Sequence, residues 1–115
     1  MKQQTGKYGE ELAVNYLLSK GYKIIVRNYR SKEGEIDIIC SDGKTIVFVE
    51  VKTRRSTRFG TPEEAITRTK MQHIRRTALT YLAEQGERYK EIRFDVIAIL
   101  LQGQTPEINH IEAAF

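Results

Sequence analysis

The 115-residue chain contains one cysteine, Cys40, which excludes an intramolecular disulfide and a thiolate metal site and gives no sign of an oxidising compartment. Long apolar runs are also missing. The longest, Val96 to Leu101, falls far short of the ~20 residues a membrane-spanning helix needs. The polar start Met1-Lys2-Gln3-Gln4-Thr5 lacks a signal-peptide core, so the expectation is a cytoplasmic protein with no membrane partner. There is no internal repeat, low-complexity segment or Pro/Ser linker, and His73 and His110 have no ligand spacing and read as ordinary surface residues. With 40% hydrophobic and 30% charged residues, the composition is that of an ordinary globular protein. The length suits one domain, a single sheet with two helices packed on it.

Charge is unevenly spread. Residues 51 to 76 hold eight Lys or Arg (Lys52, Arg54, Arg55, Arg58, Arg68, Lys70, Arg75, Arg76) against Glu63 and Glu64, a surplus of six in a chain whose net charge is +4. A polyanion is the natural partner of such a tract, because each cation that neutralises a phosphate releases condensed counterions. A well-solvated helix face is the competing reading.

Periodicity places the elements. Leu12, Ala13, Val14, Tyr16, Leu17 and Leu18 predict an amphipathic helix over Lys7 to Ser19, with Gly21 at C′. Ile24 to Tyr29 predicts a strand, and Glu35 to Cys40 and Lys44 to Lys52 predict two more, joined as an antiparallel hairpin by an Asp42-Gly43 turn. Thr53 to Gly60 reads as a mobile basic loop. Thr61-Pro62-Glu63-Glu64 is a capping box that should open a second helix running to Gln85, stopped by Gly86 and burying Ile66, Ile74, Ala78, Tyr81 and Leu82. Ile92 to Leu101 should be a strand buried on both faces, Gln102-Gly103 a turn, and Ile108 to Ile111 a short edge strand. The predicted order is αβββαβ(β), a mixed central sheet flanked by helices.

Charges inside apolar strands are costly and need a reason. Asp37 stands within Gly34-Glu35-Ile36-Asp37-Ile38-Ile39, and Glu50 and Lys52 within Val47-Phe48-Val49-Glu50-Val51-Lys52. An Asp42-Gly43 turn gives cross-strand partners whose numbers total 85, setting Asp37 opposite Phe48 and Glu35 opposite Glu50. Asp37 then lies diagonal to Glu50 on one face. Two nearby carboxylates stay ionised together only with a cation or several hydrogen bonds to offset their repulsion. Oxygen ligands favour a hard ion such as Mg²⁺, and Lys52 could either handle an attacking water or stabilise charge on a phosphate. An ordinary exposed ion pair on an edge strand is the rival reading of Glu50 and Lys52.

Asp37 followed after a hairpin by Glu50-Val51-Lys52 resembles the PD-(D/E)xK signature of the restriction-endonuclease-like fold, with Ile36 where the literal signature has proline. The blocks Gly9-Glu10, Gly34-Glu35-Ile36-Asp37, Phe48-Val49-Glu50-Val51-Lys52-Thr53-Arg54, Phe59-Gly60 and Arg93-Phe94-Asp95-Val96 together resemble the YraN-like uncharacterised family, distant relatives of archaeal Holliday junction resolvases. The resemblance implies nuclease chemistry and a restriction-endonuclease-like fold. It also implies a glutamate from the first helix at the metal site; Glu10 is the matching position, on the apolar arc of Ala13, Val14 and Leu17. Lys70, one turn from Ile66 and Ile74, should pack its stem toward the sheet with its amine at the edge of the site. Glu35 is expected to support the site, and Asp95 to pair inside the fold, with Arg93 or another arginine. Tyr8, Tyr16, Tyr29, Tyr81 and Phe59 could stack on bases if exposed, but most stand at core-compatible spacing.

The reading that follows is a metal-dependent DNA endonuclease acting on branched or otherwise distorted duplexes. Asp37, Glu50 and Glu10 would hold Mg²⁺ or Mn²⁺, Lys52 would position water or phosphate, and Arg54, Arg55, Arg58, Lys70, Arg75 and Arg76 would grip the backbone. The alternatives are a nucleic-acid-binding module without turnover, and an interaction protein that pairs its last strand with a second copy as a homodimer.

Overall fold

Helix α1, Lys2–Ser19, starts five residues ahead of the predicted Lys7. The added stretch, Lys2-Gln3-Gln4-Thr5-Gly6, has no apolar residue and so no periodicity to announce it. The helix stops as Gly21 requires. Gly21 takes φ 91, its N–H reaches the Leu18 carbonyl at 3.0 Å, and that of Tyr22 reaches Leu17 at 3.0 Å, the paired bonds of a Schellman cap. The computed structural model describes residues 2–56, 58, 60, 66–86 and 89–115, with side chains from residue 6 onward.

Five strands follow, β1 (Lys23–Ser31), β2 (Gly34–Asp42), β3 (Thr45–Arg54), β4 (Glu91–Leu100) and β5 (Glu107–Ile111), with α2 (Arg68–Gln85) between β3 and β4. They form one sheet in the order β1-β2-β3-β4-β5. The β3–β4 pair, which spans the α2 crossover, is parallel; the other pairs are antiparallel. This is a mixed α/β architecture, a five-stranded sheet flanked by two helices, compatible with the restriction-endonuclease-like fold.

The hairpin corrects one expectation. Asp42 pairs with Thr45, so the two-residue turn is Gly43-Lys44, with Gly43 at φ 61 in the first turn position, where a left-handed residue matches the strand twist. Partner numbers therefore total 87, as in Ile39 with Phe48, and not 85. A slip of two residues preserves which side chains share a face, whereas a slip of one would have reversed it.

Helix α2 begins later than the capping box suggests. Thr67 is its N-cap, accepting a hydrogen bond from the Lys70 N–H at 3.1 Å, and Ile66, expected on the buried stripe, precedes the helix. Residues 61–65, and Phe59 in the basic loop, lie outside the described residues. The far end matches, with Gly86 left-handed at φ 74.

The two helices cover opposite faces. Ala13, Val14 and Leu17 of α1 pack on Ile38, Cys40, Val47, Val49, Ile97 and Ile99; Ile74, Ala78 and Tyr81 of α2 pack on Ile36, Ile39, Ile46 and Phe48. Val96, Ile97, Ala98 and Ile99, successive residues that point to alternate faces, are all buried, as a strand inside a sheet covered by helices on both sides requires. Among the described residues no helix is long and apolar enough to cross a membrane.

Candidate active site

The site forms where β2 breaks step. The β1–β2 ladder pairs Arg27 with Ile38 and Tyr29 with Ile36, while Asn28 between them takes φ 55, a left-handed conformation that asparagine tolerates better than most residues. Ile38 belongs to the core under α1 and Ile36 to the core under α2, although residues two apart in a regular strand share a face. The strand therefore turns over at Asp37. The β2–β3 ladder ends at the adjacent Ile38–Val49 pair, and the Asp37 side chain bridges the opening, its Oδ2 accepting the Val51 N–H at 2.8 Å.

That bond brings Asp37 beside Glu50, one step beyond the last ladder pair and no longer diagonal to it. Glu50 is only 3% exposed. The two carboxyl groups are hydrogen-bonded to each other, and the Asp37 pKa is pushed up to about 8, first by burial and then by the Glu50 charge, against the opposing pull of the Val51 N–H. Two cations lean on the other side of Glu50: its Oε2 lies 3.1 Å from Lys70 Nζ and 3.6 Å from Lys52 Nζ. Burial by itself would lower the Lys70 pKa, but Glu50, with Asp37 and Glu35 behind it, raises it. Lys70, expected both at the edge of the site and among the backbone-gripping cations, thus has its amine at the carboxylates.

Glu10 arrives from α1. A Cβ on Gly9 would collide with the Thr53 side chain, so only glycine lets the helix lie this close to β3 just past Lys52. The Glu10 carboxyl is half-buried and its pKa is raised by burial; Asn28, as hydrogen-bond partner, and Arg27 pull it down, and Glu35 and Glu50 push it up. Asn28 thus serves the site twice, as the kink opposite Asp37 and as partner of Glu10; its only sequence signal is the residue type. Glu10 also adds to the Asp37 shift, which puts it at the margin of the pair. Among the described residues no three His, Cys, Asp or Glu side chains are grouped to hold one ion. Glu35 is exposed and pairs with Arg30 Nε at 3.0 Å.

Chemically, the centre is a pair of carboxyl groups that cannot both ionise comfortably without a neighbouring cation. Its donors are oxygens only, which suits a hard divalent ion that keeps most of its waters.

The arginines divide. Arg54, Arg55 and Arg58 are exposed at and beyond the end of β3, and Arg68, Arg75 and Arg76 are exposed on α2. Of these, Arg75 lies over the rings of Phe94 and Phe115, 6.0 and 5.5 Å from their centroids.

A second polar cluster sits away from this centre. Asp95, fully buried, accepts Arg93 Nε and Nη2 at 2.9 Å each and the Ala113 N–H at 3.0 Å, and lies 2.7 Å from His110 Nε2. His110 Nδ1 is 3.2 Å from the Tyr16 hydroxyl, and Arg93 also reaches the Tyr22 hydroxyl and Glu112. The expected Asp95–Arg93 pairing holds. His110 is not the surface residue its spacing suggests: its side chain is 7% exposed, and a lone histidine in an alternating strand gives no hint of a buried partner. His73 is exposed, as expected.

Comparison with known proteins adds a family. The model of the uncharacterised protein family UPF0102 matches residues 9–99, a span that includes Glu10, Asp37, Glu50, Lys52 and Lys70. A UPF0102 protein of Syntrophomonas wolfei is 50% identical over 115 residues, covering the whole of both chains. One of Nocardia farcinica is 51% identical over 99% of this chain and 91% of its own, and one of Geobacter metallireducens is 54% identical over 96% and 90%. With a family match across most of its length and relatives at half identity end to end, the chain belongs to the uncharacterised protein family UPF0102, the YraN-like family.

Proposed function

We propose that the protein is a divalent-cation-dependent endonuclease that hydrolyses phosphodiester bonds in DNA. The observation that carries this reading is the Asp37–Glu50 pair: two carboxyl groups forced together at a strand kink, with Lys52 and Lys70 both reaching the same carboxylate. Asp37 and Glu50 would hold Mg²⁺ or Mn²⁺, with Glu10 assisting from the margin of the pair. Such an ion supplies Lewis-acid stabilisation of phosphate charge and a more acidic water. Lys52, one-fifth exposed, is free to turn outward toward a phosphate or the water that attacks it. Lys70 steadies Glu50 meanwhile. Arg54, Arg55 and Arg58 extend from the same end of β3, where they would grip the backbone without reading sequence. The likeness to resolvases favours branched or distorted duplexes as substrate.

The test is cleavage of labelled single-stranded, duplex, flap and four-way-junction DNA with Mg²⁺, Mn²⁺ or EDTA. The wild type should cut only with metal, Asp37→Asn should be inactive, and Lys52→Ala should lose at least about 100-fold. Cutting that survives in EDTA or in Asp37→Asn would overturn the reading. One observation favours a second reading, a DNA-binding module without turnover: Glu50 already has two ammonium partners, and the described residues supply no third grouped ligand. Salt-sensitive DNA binding with no cleavage in any metal would select it.

A further inference from the structure

We propose that a groove beside the carboxylate centre, floored by Tyr8, is a stacking subsite for an unpaired nucleobase, so that the substrate carries a single-stranded or unstacked nucleotide near the bond that is cut. The proposal rests on the nucleic-acid reading above and names the substrate feature that this reading leaves open.

Tyr8 is one of the few large hydrophobic side chains that the fold leaves out. Its ring is 51% exposed, and it belongs to neither core, although its spacing on α1 is compatible with burial. It lines a groove with Arg55, Leu101, Gly103, Gln104 and Pro106. Leucine and proline supply an apolar wall, glutamine a hydrogen-bonding edge and arginine a cation, while no carboxylate among the described residues lines it. That combination matches a base with its flanking phosphates, since any base offers a π face to an aromatic ring and the charge beside it is negative.

The position of the groove ties it to the centre. Tyr8 precedes Gly9, the residue that α1 presses against Thr53, and Thr53 follows Lys52 in β3. Arg55 lies three residues beyond Lys52, and the Leu101 N–H binds the Arg54 carbonyl at 2.7 Å, so the groove wall is fastened to the same strand end that carries the lysine. From Gly9, one neighbour in the helix faces the carboxylates as Glu10 and the other faces the groove as Tyr8. A strand gripped by Arg54 and Arg55 could therefore set one base on Tyr8 while a phosphate farther along it crosses the strand end to Lys52. A fully paired blunt duplex offers no free base face.

Binding measured in EDTA separates this from catalysis. The probes are a single-stranded oligonucleotide carrying 2-aminopurine and a blunt duplex of equal length, titrated with wild type, Tyr8→Phe and Tyr8→Ala, each first checked for an unchanged melting curve. Stacking on an aromatic side chain is worth ~1–3 kcal/mol, so Tyr8→Ala should weaken single-strand binding by about tenfold and abolish the quenching of 2-aminopurine. Tyr8→Phe should keep both, and the blunt duplex should change less than about twofold. Single-strand affinity and quenching unaffected by Tyr8→Ala, equal losses on both probes, or no single-strand binding by the wild type would each overturn the proposal. The absence of metal-dependent cleavage would overturn the nuclease reading alone and leave a stacking result standing.

Discussion

At Asp37 the fold works against its own stability. The group ionises near 3.8 when free but holds its proton to about 8 in the folded chain, so between those values the folded state binds more protons than the unfolded one. Stability must fall as pH rises through that window. Asp37→Asn keeps an acceptor for the Val51 N–H and removes the ionisation, so it should raise the stability of the metal-free protein near pH 8 by roughly 1–3 kcal/mol, less than the full shift because water reaches part of the site. Thermal melts from pH 5 to 8 should slope downward for the wild type and be nearly flat for the variant. Added Mg²⁺ should raise the wild-type melting temperature at pH 8 and leave the variant unmoved; a wild-type curve that is flat with pH would refute this account of the pair. Asp37, Glu50 and Lys52 were legible in the sequence because a charge in an apolar strand stands out, and their common side survived a register error of two residues. The exposure of Tyr8 and the burial of His110 were not, since an aromatic at helical spacing reads the same whether it packs or protrudes, and nothing local announces that a histidine will meet an aspartate fifteen residues before it.

Among the elements, those built on local rules were visible and those built on distant contacts were not. Apolar stripes and left-handed glycines gave the end of α1 and the end of α2, and alternation gave the strands. The true start of α2 at Thr67 was hidden by a stronger-looking capping sequence upstream, and the fit of α1 against β3 depends on Gly9 meeting Thr53, a contact across more than forty residues. The short strand β5 shows the same dependence. Five residues of antiparallel pairing on one side make a weak edge, and Asp95 reinforces it by binding both His110 within the strand and the Ala113 N–H just past it. Burial would raise the Asp95 pKa, but His110, Arg93 and that N–H together hold it below its ordinary value. The stabilisation is thus complete above about pH 4, the unfolded value, and is lost as pH falls through the lower folded one. Asp95→Asn would leave Arg93 without its buried counter-charge at neutral pH, and urea denaturation should show a loss of about 3–5 kcal/mol. Hydrogen exchange in β5 should rise first. A loss below about 1 kcal/mol would mean that the pairing with β4 holds the strand unaided.

For the whole molecule, the decisive property is where the charge surplus lies once the chain is folded. The sequence places a +6 tract between residues 51 and 76 of a chain whose total is +4, but it cannot say which of those cations reach solvent. Folding divides them: Lys70 and Lys52 turn to Glu50 and Arg75, though exposed, lies over aromatic rings, while Arg54, Arg55, Arg58, Arg68 and Arg76 are exposed as well. Roughly five phosphate contacts follow, fewer than the tract suggests. At a slope of about −0.9 per neutralised phosphate, the logarithm of duplex affinity should fall with the logarithm of salt at about −4 to −5, and Arg54→Ala with Arg55→Ala should make that slope shallower by about two. Fluorescence anisotropy in EDTA over a salt series measures both. Arg75→Ala should leave the slope unchanged, because its guanidinium stays over Phe94 and Phe115; a slope that responds to Arg75 as strongly as to Arg54 would show that the cation held on the rings faces the nucleic acid too.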